Sequence, residues 1–306
     1  MTDSRVLAID FGGTKIAIAT AAVGSSGGRP EATLRLRTLG ESGAIQAVRR
    51  TFEAARTLLA GPVAVGVSTF GVLRDGRVRL APNVPGWDGM ALPALLRAEF
   101  GDAPVAIDND VNAGAAAELH WGALRGVDVG LYINLGTGLA AALVVGGRVV
   151  PGAHGAAGEI SYLRDNDTDP GFADGHAPLE DVVSGVALAR RGAALLGRPV
   201  TAAELFELRT EPGVAHLLDG AIETLSRTIA NLCVVLDPER VVLAGGMMGA
   251  AEHIIPRVAA ALRRSVPFPP ALAKARFADD APLVGAMALA QDSAPADAAP
   301  ARRPDR

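Results

Sequence analysis

Short runs of β-branched and small apolar residues, broken by glycine turns, alternate along this chain with stretches of helical spacing. Residues 6–9 and 16–20 are extended runs flanking Asp10-Phe11-Gly12-Gly13-Thr14-Lys15, the pattern of a hairpin closed by a glycine turn. Residues 33–39 predict a third strand, 45–59 a helix, and 63–67 a further strand. Residues 68–85 are expected to be mostly loop, 90–100 a short helix and 104–107 a buried strand. The next helix begins near Val111, with Asn109 or Asp110 suited to cap it.

The second half repeats the opening theme. Two strands within 129–150 are joined at Gly136-Thr137-Gly138, and Gly146-Gly147 makes another turn. A glycine- and alanine-rich loop, 152–158, ends in Glu159-Ile160, and the polar stretch 164–178 is expected to be a mobile surface segment. Helices follow: one capped by Ser184 and running to 196, one capped by Thr201 and running to 208, and a long one at 213–236 stopped by Asp237-Pro238. A strand at 241–243 enters Ala244-Gly245-Gly246, a helix covers 251–264, a strand 272–277 and a last helix 283–291. Residues 291–306, rich in Ala, Pro and Asp, are expected to be a disordered tail.

One echo matters for architecture. Residues 9–17 and 133–141 share a layout of strand, polar residue, Gly-Thr turn and strand. Two such units imply two α/β domains of related topology facing each other over a cleft.

Composition narrows the chemistry. With 306 residues and 49% apolar content, the chain buries a core large enough for two domains. A formal charge of −4 without a basic block points away from nucleic acid. The one cysteine, Cys233, excludes an intrachain disulfide and a thiolate-rich metal site. No run of 18 apolar residues and no leader pattern is present, so the expectation is a cytoplasmic protein with no membrane partner. Asp108-Asn109-Asp110 at a strand end, with a glycine turn exposing N–H groups soon after, suggests phosphoryl transfer.

Six motifs in order then carry a resemblance: IDFGGTKIAIA, LAPNVPGWDG, IDNDVNAGAAAE, INLGTGLAAALVVGGRVVPGAHGAAGEI, LEDVVSG and VVLAGGM. Together they resemble the sugar kinases and repressors of the ROK family, across about residues 5–290. The resemblance implies an α/β, two-lobed actin-like ATPase (ribonuclease H-like) fold with an interlobe cleft. The lobes expected are 1–121 and 122–290, the last helix being free to pack back on the first. Nothing precedes residue 5 that resembles a DNA-binding extension, which favours the kinase branch. A homodimer is implied by family likeness.

Roles follow from the same resemblance. Asp110 is the expected general base, taking a hydroxyl proton as the oxygen attacks phosphorus. Asn83, Asn109, Glu159 and Glu180 are expected sugar contacts, with Tyr162 beside them. Asp10 is expected near Mg²⁺, directly or through water. Gly12, Gly13 and Thr14, with Gly136, Thr137 and Gly138, are expected to hold the phosphates of ATP. Lys15 is either a further phosphate contact or a solvent-exposed side chain, and Gly245 and Gly246 are expected on the adenosine side.

The chain departs from the family at its zinc motif. Ser161-Tyr162 stands where relatives have Gly-His, and 165–178 contains no cysteine, so no structural zinc of the family type is expected. His154 in the nearby loop is either a ligand contact or an exposed residue. Phe70 stands where a proline is usual. The acceptor is accordingly a hexose such as glucose, phosphorylated at a primary hydroxyl, or an amino sugar or cyclitol. A sugar-responsive regulator without turnover is the alternative from another class.

Overall fold

A computed structural model describes residues 4–38, 43–82, 84–278 and 280–298. They fall into two compact units: the first within 1–125, 151–156 and 280–306, the second within 126–150 and 157–279.

In the first unit, β1 (Arg5–Phe11), β2 (Lys15–Ala22), β3 (Ala32–Arg37), β4 (Ala64–Thr69) and β7 (Val105–Asn109) form one sheet in the order β3-β2-β1-β4-β7. The β1–β2–β3 part is antiparallel, whereas β4 and β7 run parallel to β1. Central β1 and β4 are apolar on both faces because both faces are covered. One face packs with α1 (Gly43–Leu58) and α2 (Leu92–Phe100) around a core that includes Trp87, Phe11 and Phe52. A small hairpin, β5 (Val72–Arg74) and β6 (Arg77–Arg79), interrupts the stretch expected to be loop. Its three-residue strands are too short to carry an alternating pattern.

The other face is covered differently. α3 (Asp110–Trp121) and α9 (Ala281–Ser293) are buried over most of their length and rich in Ala and Gly. A Cβ on Gly66 of β4 would collide with the Ala286 carbonyl, and one on Gly285 with the Ala113 carbonyl. Only glycine at these two positions lets α9 sit directly on the sheet and on the helix that begins with Asp110. The last helix thus belongs to the first unit, and residues 291–298 continue it through Ser293 into a short 3₁₀ turn instead of a disordered tail. The rest of the expected tail, 299–306, lies outside the described residues.

The second unit repeats the sheet. β8 (Gly130–Leu135), β9 (Leu139–Val145), β10 (Arg148–Val149), β11 (Arg240–Ala244) and β12 (Ala271–Lys274) stand in the order β10-β9-β8-β11-β12. The first three are antiparallel neighbours, and β11 and β12 run parallel to β8. The echo between residues 9–17 and 133–141 is therefore an echo of topology. β12 ends at Lys274, short of the expected 277.

Helices α4 (Glu180–Val183), α5 (Gly185–Leu196), α6 (Ala202–Glu207), α7 (Pro212–Leu236) and α8 (Ala251–Ser265) complete this unit around a core that contains Cys233. Ser184 caps α5 through the Ala187 N–H, and Thr201 and Glu204 form a reciprocal capping box on α6. Among the described residues no helix is long and apolar enough to cross a membrane.

Candidate active site

In the first unit the acids gather at the C-terminal ends of the parallel strands. β7 ends at Asn109, whose side-chain oxygen accepts the Asn112 N–H at 2.7 Å and so caps α3. That leaves its amide N–H₂ as the group best placed to donate to a ligand. Asp110 is the first residue of α3 and accepts the Val111 N–H at 3.0 Å. Burial pushes its carboxyl up to about 6, against the opposing pull of the backbone N–H groups. Asp108 accepts both the Asn109 N–H at 2.8 Å and the Asn112 side-chain N–H at 2.7 Å. Its carboxyl is raised by burial and partly brought back by those two bonds.

Asp10, near the end of β1, accepts the Ser68 hydroxyl at 2.9 Å. Burial raises it to about 7; Ser68 and Lys15 oppose the rise, and the charges of Asp110 and Asp280 add to it. Lys15 is exposed yet near enough to act on Asp10. The sequence reading missed Ser68 because it ended β4 at Val67. A serine directly following a buried apolar strand was the available signal. The Gly12-Gly13-Thr14 turn is closed by the Gly12 N–H on the Lys15 carbonyl, at 3.1 Å. Asn83 lies outside the described residues.

In the second unit, Gly136-Thr137-Gly138 is held against the start of α5. Gly185 N–H donates to the Gly136 carbonyl at 3.0 Å and Val186 N–H to the Thr137 carbonyl at 3.4 Å. Glu180 accepts the Leu139 N–H at 2.8 Å and lies against Gly138, so one of its oxygens clamps the turn. Gly245 has φ +89°, and a Cβ there would strike the Leu135 carbonyl and the Asn134 side chain. Asn134 therefore sits beneath both glycine elements and had not been singled out from sequence. A cavity of about 800 Å³ is lined by Gly136, Thr137, Gly246, Phe206 and His253 among others. Its lining includes three of the predicted nucleotide residues, Gly136, Thr137 and Gly246.

Glu159 precedes a 3₁₀ turn at Ile160–Tyr162. The Tyr162 ring meets Phe172 edge-on at 5.2 Å, and its hydroxyl is raised by burial and then by the charges of Glu159 and Glu180. The segment 164–178 is exposed and organised by its own bonds: Asp169 accepts two backbone N–H groups, Asp174 one, and Asp165 pairs with Arg227 at 2.6 Å. His176 faces Asp181 at 3.3 Å. Among the described residues no group of three or more His, Cys, Asp or Glu side chains is arranged to hold a metal ion. A second cavity, about 450 Å³ and bounded by this segment and α7, contains none of the predicted site residues.

The ROK family model matches residues 6–293 of this chain. The chain belongs to the ROK family. A kanosamine kinase from Amycolatopsis mediterranei is 33% identical over 234 residues, covering 74% of this ROK chain and 76% of that protein. A glucokinase from Thermotoga maritima is 26% identical over 273 residues, 82% of this chain and 85% of that one. Among solved structures, the ROK hexokinase from Thermus thermophilus matches with a TM-score of 0.79 and 31% identity over 94% of this chain and 97% of its own. A ROK family glucokinase from Streptomyces griseus, solved with glucose and AMPPNP, gives 0.75 and 27% over 94% and 100%. The α/β architecture of this ROK protein is thus of the actin-like ATPase class.

Proposed function

We propose that the chain transfers the γ-phosphoryl group of ATP to a primary hydroxyl of a hexose such as glucose. Its family and its kinase relatives make it a sugar kinase; the acceptor and the role of each residue are our reading. The observation that carries those roles is Asp110 on the first position of α3, at the same strand ends as Asp10.

Asp110 takes the proton of the acceptor hydroxyl as its oxygen bonds to the γ-phosphorus and the bond to the ADP oxygen breaks. A carboxyl raised to about 6 is still mostly ionised at neutral pH, and is a stronger base than an ordinary aspartate. The Asn109 amide N–H₂ donates to a sugar hydroxyl, while Glu159 and the free oxygen of Glu180 accept from others. Asn83 and Tyr162 complete the sugar contacts. N–H groups of Gly12, Gly13 and Thr14, and of Gly136, Thr137 and Gly138, hold phosphate oxygens, with Lys15 alongside the first set. Gly245 and Gly246 border the adenosine.

Asp10 fits Mg²⁺. Its carboxylate is half-buried, and among the described residues no ion pair reaches it, so it is an oxygen donor that a hard cation would satisfy. When bound there, Mg²⁺ would spread the negative charge of the phosphates.

A second reading has an amino sugar as acceptor. It is favoured by the acidic surroundings of Tyr162, between the charges of Glu159 and Glu180, and by the likeness to a kanosamine kinase. With either acceptor we take the protein to be a cytoplasmic homodimer. An ATP-coupled assay over glucose, mannose, kanosamine, N-acetylated hexosamines and cyclitols tests the acceptor. The expected ranking puts glucose first, and a preference for kanosamine selects the second reading. Asp110→Asn is expected to bind acceptor normally and lose about 10²- to 10⁴-fold in kcat. Near-normal turnover by the folded variant removes Asp110 from the base role. A wild-type protein that binds sugars but phosphorylates none of them is a regulator.

A further inference from the structure

Asp108 takes no part in the proposed transfer, yet it is the hub of the turn that carries two residues that do. β7 ends at Asn109 in extended backbone, φ −73° and ψ 166°, and α3 begins with Asp110, so the chain changes direction between neighbours. Three hydrogen bonds close a ring around that change. One oxygen of Asp108, Oδ1, accepts the Asn109 N–H at 2.8 Å and the Asn112 side-chain N–H at 2.7 Å. The Asn109 side-chain oxygen accepts the Asn112 N–H at 2.7 Å. Asp110 and Val111 are the residues the ring spans. All its members are buried or half-buried, where water competes poorly for the same groups. Asn112 is 1% exposed, and its own side-chain oxygen has no hydrogen-bond partner among the described residues. An acceptor in that state opposes folding. What the Asn112 amide adds is therefore one directed bond, to Asp108.

We propose that Asp108 and Asn112 are positioning residues: Asn112 fixes the Asp108 carboxylate, and that carboxylate fixes Asn109 and, through the first turn of α3, Asp110. Both N–H groups fall on the same oxygen of Asp108, so the task calls for an acceptor at that point and not for a charge. An asparagine side chain there offers a carbonyl oxygen to the same two donors. A role in carrying a proton or binding a cation would instead need the carboxylate. One substitution, Asp108→Asn, therefore separates positioning from both of those roles.

The hold on Asn109 stands on the geometry of the first unit alone; its effect on turnover rests on the function proposed above. Hydrogen exchange by NMR in ligand-free protein tests the hold. The Asn109 N–H is expected to exchange at least about tenfold faster in Asp108→Ala than in the parent, and within about threefold of the parent in Asp108→Asn. The ATP-coupled assay tests the effect, with glucose, or with kanosamine if that is what the parent turns over. Asp108→Ala is expected to lower kcat about 10²-fold and raise KM for the acceptor about tenfold, with KM for ATP kept within about twofold. Asp108→Asn is expected to recover kcat to within about threefold of the parent. Asn112→Ala is expected to lower kcat about fivefold, and to add nothing to Asp108→Ala in the double variant, because its bond has already lost its acceptor. A merely structural residue would lower the melting temperature without dividing the two KM values in this way. Unchanged exchange in Asp108→Ala, or equal losses of kcat in Asp108→Ala and Asp108→Asn, overturns the proposal. If Asp108→Ala does not fold, a larger loss in Asp108→Asn than in Asn112→Ala overturns it. The expected exchange pattern in a parent that phosphorylates no sugar upholds the hold on Asn109 and removes the kinase reading instead.

Discussion

The two sheets have the same strand plan, yet their equivalent hairpins are furnished with different side chains. At the polar position before the turn, the first unit has Asp10 and the second Asn134. Asp10 lies in a row with Ser68, Asp108 and, across Ala17, Arg35, so the first sheet concentrates ionisable groups. Asn134 is flanked in register by Ala140 and Ala244, so its row carries no charge. The second turn has its carbonyls engaged by the start of α5 and its Leu139 N–H by the Glu180 carboxylate. One topology has thus been given a row of ionisable groups across the sheet in one copy and an uncharged row in the other. In the function proposed above, the first kind of furnishing would meet a cation, and the glycine turns of both copies would meet phosphate oxygens.

Exchanging the two residues puts that contrast at risk. Asp10→Asn makes the first hairpin resemble the second, and is expected to lower kcat about 10²-fold in the coupled assay with ATP and Mg²⁺. Asn134→Asp does the reverse, placing a negative charge under the phosphate turn, and is expected to raise KM for ATP about tenfold. If Asn134→Asp leaves KM unchanged, phosphates are not held at Gly136–Gly138. The seat of α9 supplies the next effect, on stability. Gly285→Ala sets a methyl group against the backbone of α3 and is expected to cost about 1–3 kcal/mol in denaturant unfolding, with turnover reduced because α3 begins with Asp110.

The smallest effect follows from pH. Asp10 and Asp110 titrate near 7 and 6 in the folded chain but near 3.8 when exposed by unfolding. Between these values the folded chain keeps protons that the unfolded chain releases, so stability falls as pH rises from about 4 to 7 and then levels off. Asp110→Asn removes part of that slope. Its melting temperature relative to the parent is expected to be a few degrees more favourable at pH 8 than at pH 4.5. A constant difference across that range contradicts the raised carboxyl.

Much of this was legible beforehand, and the reasons differ from element to element. The strand-to-helix junction at Asp108–Asn112 announces itself because a run of capping residues stands between the apolar stretch 105–107 and an alanine-rich helix. The two Gly-Thr hairpins are visible because each turn is local in sequence. The β5–β6 hairpin escaped because strands of three residues carry no period. Ser68 escaped because a hydroxyl at a strand end looks like the start of a loop until its partner, 58 residues away, is known. The adaptation of Gly66 to Ala286, and of Gly285 to Ala113, joins distant parts of the chain through absent side chains, and composition cannot announce that.

The place of α9 also fixes the order in which the protein is completed on the ribosome. Residues 126–279, apart from the short excursion at 151–156, emerge as one consecutive stretch and have what they need to close their own core. The sheet that was translated first has α3 alone on one face until residues beyond 280 arrive to complete its cover. During synthesis the unit that carries Asp110 is therefore the last to mature, and the unit that carries Gly136–Gly138 is ready before it.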